Sequence, residues 1–114
     1  MTDCIFCKIV AGEIPSTRVY EDEAVVAFGD LNPQAPLHAL VVPRRHISTL
    51  NDLAVGDDAL VGSMVRAAAS IAKTHGYDAR GYRTVFNCNR EAGQTVFHIH
   101  LHVLAGRGLS WPPG

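Results

Sequence analysis

The sequence has no apolar run long enough to cross a membrane, and its opening, MTDCIFCKIV, is too short and too polar for a secretory leader. Neither sign of charge is in excess: ten Lys and Arg stand against eleven Asp and Glu, a net charge of -1. That balance offers no basic face to nucleic acid and no charged tail to a partner. Cysteine is scarce. Three residues, an odd number, argue against a disulfide framework and fit a reducing cytoplasm. Repeats, low-complexity tracts and linkers are missing too, so residues 1–114 are expected to form one domain with a modest core.

What is present falls into short segments. CIFCKIVAGEIP reads as a short helix broken at Gly12, with a turn at Pro15. RVYEDE and AVVAFGD read as a hairpin, and HALVVP as a third strand stopped by Pro43. One long helix is expected from Asp57 to His75. Leu60, Met64, Ala67, Ala68 and Ile71 recur at helical spacing, Asp57 and Asp58 suit its positive end, and Gly76 stops it. YRTVFNCN is expected as a fourth strand with Cys88 as a packed thiol, REAGQT as a glycine-containing loop, and VFHIHLHVL as a fifth strand. Strands on both sides of one helix, without βαβ alternation, indicate an α+β domain with a mostly antiparallel sheet.

The function is concentrated in HIHLHVL, residues 98–104, which holds half of the six histidines. Alternation at period two places Ile99, Leu101 and Val103 on a core face and His98, His100 and His102 on the other. Three readings of that second face stand open: structural histidines, a metal site, or nucleophilic catalysis. A single metal held by all three is disfavoured, because residues two apart on a strand lie about 6–7 Å apart and residues four apart about 13 Å. Neutral imidazole is a competent nucleophile near neutral pH and can take a phosphoryl or nucleotidyl group and pass it to water. The preceding Gly93, Gln94 and Thr95 suit a phosphate cradle, the glycine for close approach and the threonine for its hydroxyl.

At this point the sequence resembles the histidine-triad (HIT) family, and within it the Hint branch of purine nucleoside phosphoramidases. The resemblance runs through CIFCKI and EIP, FGDLNPQAPLHALVVPRRHIS, GYR, AGQTVFHIHLHVLAGR and the terminal WPPG. It implies a five-stranded sheet with one long and one short helix, and a homodimer whose sheets join across the interface. His100 matches the family nucleophile, His102 the triad member facing the phosphate or leaving amine, and His38 a further active-site histidine. Asp30 matches the carboxylate that accepts the ribose hydroxyls, a role its lone pairs suit. Phe6, Ile14, Phe28 and Leu31 match the walls of the purine pocket, and Asn87, Gly93 and Thr95 the phosphate-binding positions. Gly29 stands where a bulkier residue is frequent. Trp111, in the tail, matches a residue that lines the partner's site near the leaving group.

Cys4 and Cys7 form a CxxC with no second copy, and alone that pair is weak evidence of a metal. The resemblance implies a structural zinc completed by His46 and His98, which would withdraw His98 from catalysis. The activity expected is hydrolysis of the P–N bond of purine nucleoside phosphoramidates. A dinucleoside polyphosphate hydrolase is the alternative that WPPG counts against, and a zinc-stabilised nucleotide-binding or scaffold protein is the third.

Overall fold

The structure, a computed structural model, describes residues 3–114. In chain order the elements are α1 (Ile5–Val10), β1 (Arg18–Glu21), β2 (Val25–Gly29), β3 (Leu37–Pro43), α2 (Asp58–Thr74), β4 (Arg83–Phe86) and β5 (Leu101–Ala105). The strands form one sheet in the order β1-β2-β3-β5-β4, every neighbouring pair antiparallel. Three short 3-10 turns not expected from the sequence, at Leu50–Asp52, Val55–Asp57 and Arg90–Ala92, complete it.

Strands β2 and β3 are buried along nearly their whole length because both faces of the sheet are covered there. Val25, Ala27, Ala39, Val41, Leu101 and Val103 point to α2 and meet Met64, Ala67, Ala68 and Ile71. Val26, Phe28, Leu40 and Val42 point the other way and meet Phe6 and Ile9 of α1. Alternation along each strand thus sorts residues between a large helix and a small one. Met64, Ala67 and Ala68 are fully enclosed; truncating Met64 to Ala would cost about 2–5 kcal/mol in transfer and cavity energy.

Besides shifts of one or two residues at other strand and helix ends, three differences from the sequence reading stand out. The fifth strand starts at Leu101, not Val96. The Ile99 N–H donates to the Ile47 carbonyl at 2.8 Å, which draws residues 98–100 out of the ladder toward the loop after β3. Ile99, Leu101 and Val103 nevertheless all enter the α2 core. Helix α2 starts at Asp58, because Asp57 closes the preceding 3-10 turn, accepts the Ala54 N–H at 2.8 Å and pairs with Arg45. Cys88 lies beyond the end of β4 and is half-buried, not a strand residue.

Candidate active site

On the α1 face of the sheet lies a cavity of about 450 Å³. Its apolar end is built from Phe6 and Ile9 of α1, Ile14, Phe28, Leu31 and Leu40; its polar end from Asp30, Asn87, Gly93, Thr95, His100 and His102. Helix α1 is held there at both ends. The Cys4 sulfur accepts the Cys7 N–H at its start, and the Arg18 guanidinium donates to the carbonyls of Ile9 at 2.8 Å and Val10 at 3.2 Å at its finish. Gly12, at φ 80, then turns the chain as the sequence indicated.

The hydrogen-bond partners assign the protons on the histidines. His100 Nδ1 lies 2.8 Å from the His98 carbonyl, which can only accept. Nδ1 therefore carries the proton, and Nε2 keeps its lone pair. His38 Nδ1 accepts the Gln34 N–H at 3.0 Å, so its proton is on Nε2, 2.9 Å from His102 Nδ1. His102 must then carry its proton on Nε2, a buried atom with no hydrogen-bond partner among the described residues. Its ring centroid is 5.0 Å from that of His100. The chain Gln34–His38–His102 thus delivers one unmet N–H donor beside an imidazole with a free Nε2 lone pair. Burial, followed by the nearness of His100 and His38, pushes the His102 pKa down to about 4, with Asp30 opposing weakly. Burial also lowers that of His38 against the opposing pull of Asp30. Both rings are therefore neutral at pH 7, as the proton assignment requires.

Asp30 does two things at once. Oδ1 accepts the Asn32 N–H at 2.8 Å, the turn that a DLNP stretch favours, while the carboxylate still lines the cavity. Gly93 sits at φ 89 and its N–H is taken by the Arg90 carbonyl at 3.0 Å, so what it contributes is room. Gln94 leaves the expected phosphate cradle. It is buried with its amide turned away, bonded to the backbone of Asn89, Ser48 and Val96.

Cys4, Cys7, His46 and His98 converge separately from the cavity's polar end. His98 Nδ1 lies 3.4 Å from the Cys4 sulfur, 3.5 Å from that of Cys7 and 3.2 Å from His46 Nδ1, and Cys7 Sγ is 3.3 Å from His46 Nδ1. The edges of a zinc tetrahedron with two sulfur and two nitrogen donors are about 3.3–3.6 Å between N and N or N and S. His98 Nε2 donates to the Pro43 carbonyl at 2.8 Å, which leaves its Nδ1 lone pair facing the other three groups. The donor set fits a closed structural site. Asp30, His38 and His102 also come close together, but both nitrogens of His38 are engaged, one accepting and one donating. A metal on Nε2 would need a proton on Nδ1, against the Gln34 N–H, so this cluster is a hydrogen-bond relay.

With that geometry in hand, similarity to known proteins is specific. The HIT domain family matches residues 11–109, most of the chain. The chain belongs to the HIT family. Among its HIT relatives is the purine nucleoside phosphoramidase of Escherichia coli K12, 47% identical over 107 residues that cover 94% of this chain and 90% of that one. Among solved HIT structures, a hydrolase from Legionella pneumophila superposes with a TM-score of 0.96 at 49% identity, covering 98% and 100% of the two chains. A histidine triad protein from Clostridium difficile gives 0.93 at 49% identity, with 96% of each covered.

Of the residues expected to form the HIT site, Trp111 stands apart. It is 82% exposed and does not line the cavity of its own chain. Leu31 lines the rim but is wholly exposed, so it covers a ligand only from the outside. The sequence reading missed Ile9, Leu40 and Val96 as cavity walls, and Ser16 and Thr17 at its mouth. Ile9 lies one helical turn from Phe6 and was legible from that spacing. Leu40 shares its strand face with His38 and was legible by alternation. Nothing local marked Val96, Ser16 or Thr17.

Proposed function

We propose that this HIT protein hydrolyses purine nucleoside 5′-phosphoramidates through a nucleotidyl-histidine intermediate on His100. The observation that carries it is the His100 ring, whose Nδ1–H is fixed on the His98 carbonyl so that Nε2 is left as a lone pair at the boundary between an apolar pocket and polar groups. The purine occupies the apolar end between Phe6, Ile14, Phe28 and Leu31, the ribose hydroxyls meet Asp30, and the phosphate meets Asn87, Thr95 and the room left by Gly93. His100 Nε2 attacks phosphorus, the P–N bond breaks, and the amine departs with a proton drawn from solvent, which the attacking water gives back in the second step. Water then attacks the phosphorus of the nucleotidyl-histidine and returns the nitrogen lone pair to His100. The unmet His102 N–H is a donor for a phosphoryl oxygen on which charge builds. The name of the E. coli relative supports the P–N bond as the target.

A structural zinc on Cys4, Cys7, His46 and His98 belongs to the same reading; when bound it supplies a cross-link between the N-terminal segment and the loops around β3 and β5. So does a homodimer, in which β4, an edge strand of the sheet, meets its copy and Trp111 reaches the partner's site. The reading places the protein in the cytoplasm, consistent with the cysteine usage; among the described residues no helix is long and apolar enough to cross a membrane. The test is incubation with adenosine 5′-phosphoramidate and, separately, with diadenosine polyphosphates. AMP released faster from the phosphoramidate supports the assignment; faster release from the dinucleotides makes the protein a polyphosphate hydrolase, and release from neither makes it a binding protein.

A further inference from the structure

Gln94 is 5% exposed and does not line the cavity, although both neighbours do. Its amide is fully used where the 89–96 loop meets the loop after β3. Oε1 accepts the Asn89 N–H at 2.8 Å, and Nε2 donates to the carbonyls of Ser48 at 2.8 Å and Val96 at 3.1 Å. The Gln94 backbone N–H donates to the Asn89 carbonyl at 3.0 Å. One residue therefore grips both backbone groups of Asn89. Asn89 has φ 67 and ψ -173, a region that the Cβ atom closes to nearly everything but glycine. It is the only non-glycine residue with positive φ among the described residues. Asparagine tolerates positive φ best in the left-handed helical region, and this ψ lies far from it.

The position of this strain is informative. Asn87 lies two residues before Asn89, and Gly93 and Thr95 lie just after the 3-10 turn that follows it; all three line the polar end of the cavity. We infer that Gln94 is a positioning residue: its buried amide holds Asn89 in a strained conformation and thereby sets Asn87, Gly93 and Thr95 against the phosphate of the nucleotide. The inference rests on the nucleotide reaction proposed above. Only an amide suits the place, since one planar group must present an acceptor and two donors. A carboxylate would turn lone pairs toward two carbonyls, and leucine would leave three backbone groups unmet.

The test pairs Q94L with N89G, because glycine adopts the Asn89 conformation without strain. Q94L, assayed below its melting temperature, should bind AMP about tenfold more weakly and raise KM for adenosine phosphoramidate similarly, with kcat changed less than about threefold. A phosphate contact made equally in ground and transition states predicts that split. N89G alone should raise Tm by about 5 °C and leave AMP affinity within about twofold. N89G/Q94L should return AMP affinity to within about threefold of wild type. If Q94L melts lower but binds AMP unchanged, Gln94 is only a brace and the inference falls. It falls equally if N89G lowers Tm or the double variant gains nothing over Q94L. Should Q94L alone fail to fold, a folded, AMP-binding double variant supports the inference and an aggregated one overturns it. A wild type that binds AMP but leaves phosphoramidates intact would refute the reaction, while the AMP measurements still decide the role of Gln94.

Discussion

Replacing His102 by asparagine should flatten the acid side of the stability curve, and the size of the effect follows from the His102 environment. In the folded chain its pKa falls from the usual 6.5 to about 4, chiefly because the ring is buried and then because His100 and His38 lie beside it. The unfolded chain takes up the proton near pH 6.5, whereas the folded chain resists until about pH 4. The neutral ring thus contributes stability in full above pH 6.5, and the contribution shrinks as the pH falls toward 4. The slope is about 1.4 kcal/mol per pH unit, or about 3 kcal/mol over the window. Asparagine keeps an oxygen that can accept the His38 Nε2–H but has nothing to titrate. Urea unfolding of wild type and H102N, at pH values from about 7.5 to about 4.5, gives the two curves. Acid effects on the Cys4, Cys7, His46 and His98 cluster are common to both proteins and drop out of the difference. The variant should start less stable or level at pH 7.5 and lose stability less steeply. Parallel curves would refute both the neutral ring and the proton assignment built on it.

Replacing His100 by alanine should abolish turnover, by about 10⁴-fold or more, with AMP binding retained; a variant keeping a tenth of the activity would remove His100 as the nucleophile. Protein purified without an affinity tag should contain about one zinc per chain by elemental analysis. Stripping it should lower Tm more than it lowers activity per folded molecule, and metal-free protein with the wild-type Tm would refute a structural role. Deleting Trp111 to Gly114 should change the ranking of kcat/KM among phosphoramidates with different amines while AMP affinity stays nearly constant. An unchanged ranking would show that the tail does not select the leaving group.

Sequence alone determined the class of the fold and most of the residues at its site. Met64, Ala67, Ala68 and Ile71 fell at helical spacing and form the buried face of α2, and alternation placed Ile99, Leu101 and Val103 in the core, because these patterns are local consequences of helix and strand periodicity. The motif resemblance grouped Asp30, Asn87, Gly93, Thr95, His100 and His102, and they line one cavity. What tertiary structure decided was the direction of each side chain and proton. Gln94 sits between two residues of the cavity's polar end, yet turns away, because its amide bonds the backbone of nearby Asn89 and Val96 and of Ser48, which only the fold brings close from the loop after β3. His98 and His100 look equivalent in HIHLH. They part company because the chain leaves the ladder at Ile99, sending one imidazole to two cysteines and leaving the other on a carbonyl with its second nitrogen exposed to the cavity. The proton on His102 is set by Gln34, far away in sequence, through His38. Periodicity reports which face a residue takes; only the folded chain supplies the partner that fixes its hydrogen bond.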